Sequence, residues 1–130
     1  MSELKELAAE AKHELLTHII PFWRGMRDDK FGGYYGYLSY DLALDEKAEK
    51  GCILNSRITW FFANAYLLYK DGGISEEECE AAGFKGEDLL AEAKHGYEFL
   101  REHCIDKEYG GIFWSLNYDG TPLDTTKHTY

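Results

Sequence analysis

The sequence predicts an all-α toroid assembled from helix–hairpin–helix repeats, and three observations point there. A segment rich in glycine and aromatics recurs at a fixed offset. A one-sided helix pattern precedes each copy, and a helix apolar around most of its circumference follows the first. With 130 residues, 45% of them apolar and 15% aromatic, the chain can bury a core and is not a disordered segment.

The elements follow in order. Leu4, Leu7, Ala8, Ala11, Leu15, Ile19 and Trp23 recur at three- and four-residue steps, which predicts an outer helix near 3–24 that Pro21 bends or restarts at Phe22. Asp28 to Asp41 then matches Asp106 to Asp119. Both read Asp, two spacers, an aromatic, Gly-Gly, two bulky residues, and a closing Leu-x-Tyr-Asp. Gly-Gly before alternating aromatics predicts a tight turn and short β segments near 33–40 and 111–118. Copies about 78 residues apart mark a repeated supersecondary unit.

Between the copies, Arg57-Ile58-Thr59-Trp60-Phe61-Phe62-Ala63-Asn64-Ala65-Tyr66-Leu67-Leu68-Tyr69 is apolar on nearly every side. It predicts an inner helix near 54–70, buried all round. Asp71-Gly72-Gly73 stops it. Ser75 with Glu78 forms a capping box for a short acidic helix near 75–82. Leu89, Leu90, Ala93, Tyr97 and Leu100 predict the second outer helix, near 87–103. Repeat one thus spans about 3–70, an insert about 74–86, and a partial second repeat about 87–130. Repeat architectures need about three units for stability, so the chain reads as a fragment of a larger ring. Its uncovered inner helix should self-associate or require the rest of the ring.

Charge and cysteines narrow the function. Twenty-four acidic against 14 basic residues give a formal charge of −10, which argues against nucleic acid and anionic membrane as partners and leaves neutral substrates open. No apolar run is long enough to span a bilayer, and no signal peptide is visible. Cys52, Cys79 and Cys104 lack metal-site spacing and read as free packing thiols in a reducing cytoplasm. His13, His18, His95, His103 and His128 form no metal-binding set. The candidate that stands out is Arg57, a cation in the first turn of an apolar helix, where it opposes the helix dipole. Two readings remain open for it: an ion pair to Asp41 or Asp45, or a functional guanidinium.

His18-Ile19-Ile20-Pro21-Phe22-Trp23, the Gly-Gly-Tyr-Tyr-Gly-Tyr hairpin, the run from Asn55 to Tyr66 and Asp124-Thr125-Thr126-Lys127-His128-Thr129-Tyr130 together resemble the N-acylglucosamine 2-epimerase family. The resemblance is strongest to its cellobiose 2-epimerase branch. It implies that the chain is the N-terminal third of an (α/α)6 barrel, and a carbohydrate isomerase without metal or cofactor. In that chemistry the sugar opens, one histidine removes the C2 proton to give an enediol, and a second returns it to the other face. Those histidines lie beyond this chain, so the chain alone is expected to be inactive. The resemblance also implies that Arg57 is catalytic, beside the sugar's C1 and C2 oxygens. It implies too that Tyr130 is substrate-binding, beside the same part of the sugar, with Trp60 and Trp114 as further substrate-binding candidates. Core packing competes for Trp60, and hairpin packing for Trp114. Other functions on such a barrel are an aldose–ketose isomerase, a glycoside hydrolase, or a non-catalytic assembly module. Asp28, Asp41, Asp106 and Asp119 read first as turn residues rather than hydrolytic carboxylates.

Overall fold

The computed structural model describes residues 2–128. Helix α1 (Glu3–Glu14) starts at Ser2, whose hydroxyl accepts the Lys5 N–H. It passes through a π turn, Leu15–Ile19, into α2 (Ile20–Arg24). Pro21 explains the wide turn, because its nitrogen cannot donate and its ring would press on the carbonyl four residues back. The helix therefore restarts at Ile20, two residues before the position expected from sequence. Strand β1 (Lys50–Gly51) leads directly into α3 (Cys52–Lys70). The short α4 (Glu76–Ala81) has the full capping box between Ser75 and Glu78. Helix α5 (Gly86–Phe99) ends in a second π turn, Leu100–Cys104, and strands β2 (Ser115–Leu116) and β3 (Pro122–Asp124) follow.

The core lies between α3 and α5. Ile58, Phe62 and Ala65 meet Leu89 and Ala93, with Leu16, Ile20, Tyr34 and Phe84 closing the sides. Gly96 lets the two helices approach: a Cβ there would stand 2.1 Å from the Thr59 hydroxyl oxygen. Helix α3 is not buried all round, contrary to the expectation from its composition. One face is packed, and the other leaves Trp60 69%, Leu67 56% and Leu68 40% exposed. A uniform apolar composition says only that every face can be covered, not that a neighbour within the chain covers it. Phe62, by contrast, is fully buried, and Phe61 and Tyr66 are partly so.

The two glycine-rich segments repeat in their hydrogen bonds as well as in their residues. The N–H of Asp28 donates to Gly33 O, that of Gly32 to Asp28 O, and that of Tyr35 to Met26 O. Asp106, Gly110 and Phe113 do the same with Gly111, Asp106 and Cys104. Each aspartate side chain also accepts the N–H groups two and three residues on, at Lys30 and Phe31 and at Glu108 and Tyr109. The expected strands are far shorter than the aromatic alternation suggests. Around 33–40 only isolated bridges form, Arg27↔Tyr34 and Leu38↔Leu44, and around 111–118 only β2 and the Ile105↔Ile112 bridge. Asp28 N–H to Gly33 O and Tyr35 N–H to Met26 O close only the single Arg27↔Tyr34 bridge, and the Tyr34 N–H, which a further strand would take up, donates to the Asn55 side chain. The regular pairing is instead a small antiparallel sheet in the order β1-β2-β3, which ties the start of α3 to the second hairpin.

Candidate functional site

The sheet sets where α3 begins. Gly51 pairs with Ser115, and the Cys52 N–H donates to Trp114 O at 3.1 Å. Gly51 is the N-cap in extended conformation, without a side-chain cap. Asn55, fully buried, fastens this end to repeat one: its Oδ1 accepts from Tyr34 N–H at 2.9 Å and its Nδ2 donates to Gly51 O at 3.1 Å. Because α3 starts at Cys52, Arg57 lies in its second turn. The expected first-turn placement is corrected, and with it the argument from an opposed dipole, which fades beyond the first turn.

Arg57 makes no hydrogen bond or ion pair with the described residues. The two carboxylates that could have claimed it are engaged otherwise. Asp41 accepts from the Ser39 hydroxyl, and Asp45 from the Lys47 N–H at 3.0 Å. Arg57 instead lines two cavities. One, of about 400 Å³, is walled by Glu49, Gly51, Leu54, Trp114 and Ser115; the other, of about 210 Å³, by Trp23, Leu54, Ile58 and Phe61.

The structure thus brings Arg57 and Trp114 together. Trp114 stands 38% exposed on the shared wall, its ring 4.4 Å from that of His128. Hairpin packing alone does not describe its position. Trp60 sits one turn beyond Arg57 on the uncovered face of α3 and lines neither cavity, so it is neither core nor part of this pocket. Tyr130 lies outside the described residues.

Sequence reasoning missed Glu49, Ser115 and the start of α3 as walls of this pocket. Ser115 Oγ donates to Glu49 Oε2 at 3.5 Å. No local sequence signal marks Glu49, which the β1–β2 pairing brings to the pocket. Lys50 pairs with Asp28 across 22 residues and Lys127 with Asp106 across 21, so the repeat carries its ion pair as well as its turn. An unpaired guanidinium and an uncapped helix N-terminus put positive potential on one wall. A carboxylate and an indole face stand nearby. This combination suits a neutral polyol: the carboxylate accepts hydroxyl protons, the ring takes the C–H edge, and the cation answers negative charge that develops on oxygen.

A family model described as N-acylglucosamine 2-epimerase (GlcNAc 2-epimerase) matches residues 33–130. The chain belongs to this family. It is 50% identical over 124 residues to the cellobiose 2-epimerase of Ruminococcus albus, covering 95% of this chain and 28% of that protein. With the cellobiose 2-epimerase of Eubacterium cellulosolvens it shares 51% over 117 residues, or 90% of this chain and 25% of that protein. A crystal structure of a sugar epimerase from a ruminal bacterium superposes with TM-score 0.79 at 49% identity, over 94% of this chain and 28% of that one. The cellobiose 2-epimerase structure from Bacillus thermoamylovorans superposes with TM-score 0.82 at 38% identity, over 95% and 28%. The fold is accordingly part of an (α/α)6 barrel, and the chain spans little more than a quarter of the relatives it matches. Among the described residues no helix is long and apolar enough to cross a membrane.

Proposed function

We propose that this chain is the N-terminal part of a sugar 2-epimerase that converts the reducing-end glucose of cellobiose-like disaccharides to mannose through an enediol. The observation that carries the reading is the unpaired Arg57 guanidinium on a wall shared with Trp114, in a chain whose relatives are named cellobiose 2-epimerases. Removing the C2 proton puts negative charge on the C1 and C2 oxygens. A fork-shaped cation already in place stabilises that charge without reorganising. Glu49 and Trp114 orient the open sugar, with Tyr130 a further substrate-binding residue by the family resemblance. The proton-transferring groups come from the rest of the barrel, and three reduced thiols suit a cytoplasmic enzyme.

The reading is tested with a chimera in which this chain replaces the matching segment of the Ruminococcus albus enzyme. Incubated with cellobiose, the chimera should yield glucosyl-mannose. Glucosyl-fructose would assign the isomerase reaction, glucose a hydrolase, and no product from a folded chimera would reject the reading.

A further inference from the structure

Two of the three thiols meet where the repeats join. Cys52 opens α3 in repeat one, and Cys104 closes the π turn after α5 in repeat two. Consecutive residues of the second hairpin link them: Phe113 N–H donates to Cys104 O at 2.9 Å, and Cys52 N–H donates to Trp114 O at 3.1 Å. The two side chains share one buried cluster with Phe99 and Leu116. Cys79 sits apart, on α4, with its side chain in the other core cluster.

We propose that Cys52 and Cys104 form a redox-sensitive pair that closes to a disulfide across the two repeats. Cys52 is the attacking sulfur on two grounds. It occupies the first position of a 19-residue helix, where the dipole favours a thiolate. It also lines a cavity of about 320 Å³ with Ile53, Ser56, Leu100, Phe113 and Trp114, the side from which an oxidant would approach the otherwise buried thiol.

The two thiols also lie close enough to interact with each other. That interaction lowers the Cys52 pKa and, together with burial, raises that of Cys104. The oxidant is a small disulfide such as oxidised glutathione. Cys52 thiolate attacks one of its sulfurs and releases one thiolate. Cys104, deprotonated as it reacts, attacks Cys52 Sγ and releases the second. The protein loses two protons and two electrons, and one disulfide becomes two thiols. The bond locks the start of α3 to the second repeat, the two bodies that carry Arg57 and Trp114.

The test oxidises the 130-residue chain under native conditions with oxidised glutathione, followed by thiol titration and peptide mapping. We expect the free thiols to fall from three to one, with Cys52 and Cys104 in a single linked peptide and Cys79 unmodified. Cys79→Ser should fall from two thiols to none and recover both on reduction with dithiothreitol. Cys52→Ser and Cys104→Ser should each form no intramolecular bond. Linkages that include Cys79, glutathione adducts alone, or three thiols unchanged at equilibrium would each overturn the proposal.

Discussion

The carboxylate of Asp28 and the ammonium of Lys50 lie 2.6 Å apart with both side chains almost wholly removed from water. Lys50 also donates to Gly32 O at 2.7 Å and stands over the Phe99 ring at 5.3 Å. The repeat copies this pair at Asp106 and Lys127, also 2.6 Å apart, but there Lys127 is 36% exposed. Geometry is the same and surroundings differ, so the two should respond differently to loss of the lysine. Lys50→Met leaves a carboxylate buried without its partner and should cost about 3–5 kcal/mol in a urea melt. Lys127→Met should move the midpoint much less, because water replaces the lost partner. Burial tends to raise the Asp28 pKa, but the Lys50 hydrogen bond and the Phe31 and Lys30 N–H groups outweigh it, and the net pKa is lowered. A carboxyl with a lowered folded pKa stabilises fully above the unfolded value of about 3.9, and that share is lost as pH falls through the folded pKa. Urea midpoints of the native chain should therefore drop below about pH 4, and the acid limb of Lys50→Met should be shallower. Arg57 belongs to the same scale. In the chimera, Arg57→Lys keeps the charge but loses the fork. It should lower kcat by roughly 10²–10³ with little change in KM. Near-normal turnover together with a lower Tm would make Arg57 structural.

Elements were legible in sequence to the extent that their signals were local. The capping box at Ser75 and Glu78 needs only four residues, and it forms as read. The helix near 3–24 was legible as well, and so was the effect of Pro21, because a missing N–H acts within one turn. The strands were less legible, since alternating aromatics report which side chains face the core and not where the backbone N–H groups go. Gly36 shows what decided the matter. A Cβ there would lie 1.8 Å from the Glu49 carbonyl oxygen, so two stretches of backbone touch where a ladder was expected. Gly36→Ala has only backbone to displace and should destabilise by roughly 3 kcal/mol or more, the upper end for an overpacked core. Gly72, at φ +84 with open space around it, offers the comparison. Gly72→Ala should cost only the roughly 1–2 kcal/mol of a left-handed alanine. Equal melting shifts for the two variants would show that Gly36 is not a contact point. The pocket was half legible: Arg57 and Trp114 are conspicuous residue types, whereas Glu49 and Ser115 are ordinary ones that only the β1–β2 pairing brings in.

At the scale of the molecule, the repeat was visible in sequence but the cover on its inner helix was not, because that cover is not contributed by the described residues. Helix α3 turns Trp60, Leu67 and Leu68 outward on one face, and Leu4 and Leu7 of α1 are 77% and 62% exposed. Single exposed apolar residues are ordinary, but a contiguous face that includes an indole lowers its free energy by leaving water, at about 25 cal/mol per Å². The matched epimerase structures are far longer than this chain, which covers 28% of two of them. At −10 the net charge resists association, but charge repulsion is screened by salt and apolar contact is not. The isolated chain should therefore form concentration-dependent oligomers in sedimentation velocity, more so as salt is raised. Trp60→Glu with Leu67→Lys places opposite charges one and a half to two turns apart on the uncovered face and removes two of its largest apolar groups. Because both positions are exposed, the helix and the α3–α5 core should survive, and the variant should sediment as a monomer with unchanged helical circular dichroism. A wild-type chain that stays monomeric at every concentration and salt would mean that this face is stable in water, and the inference from exposure to association would fail.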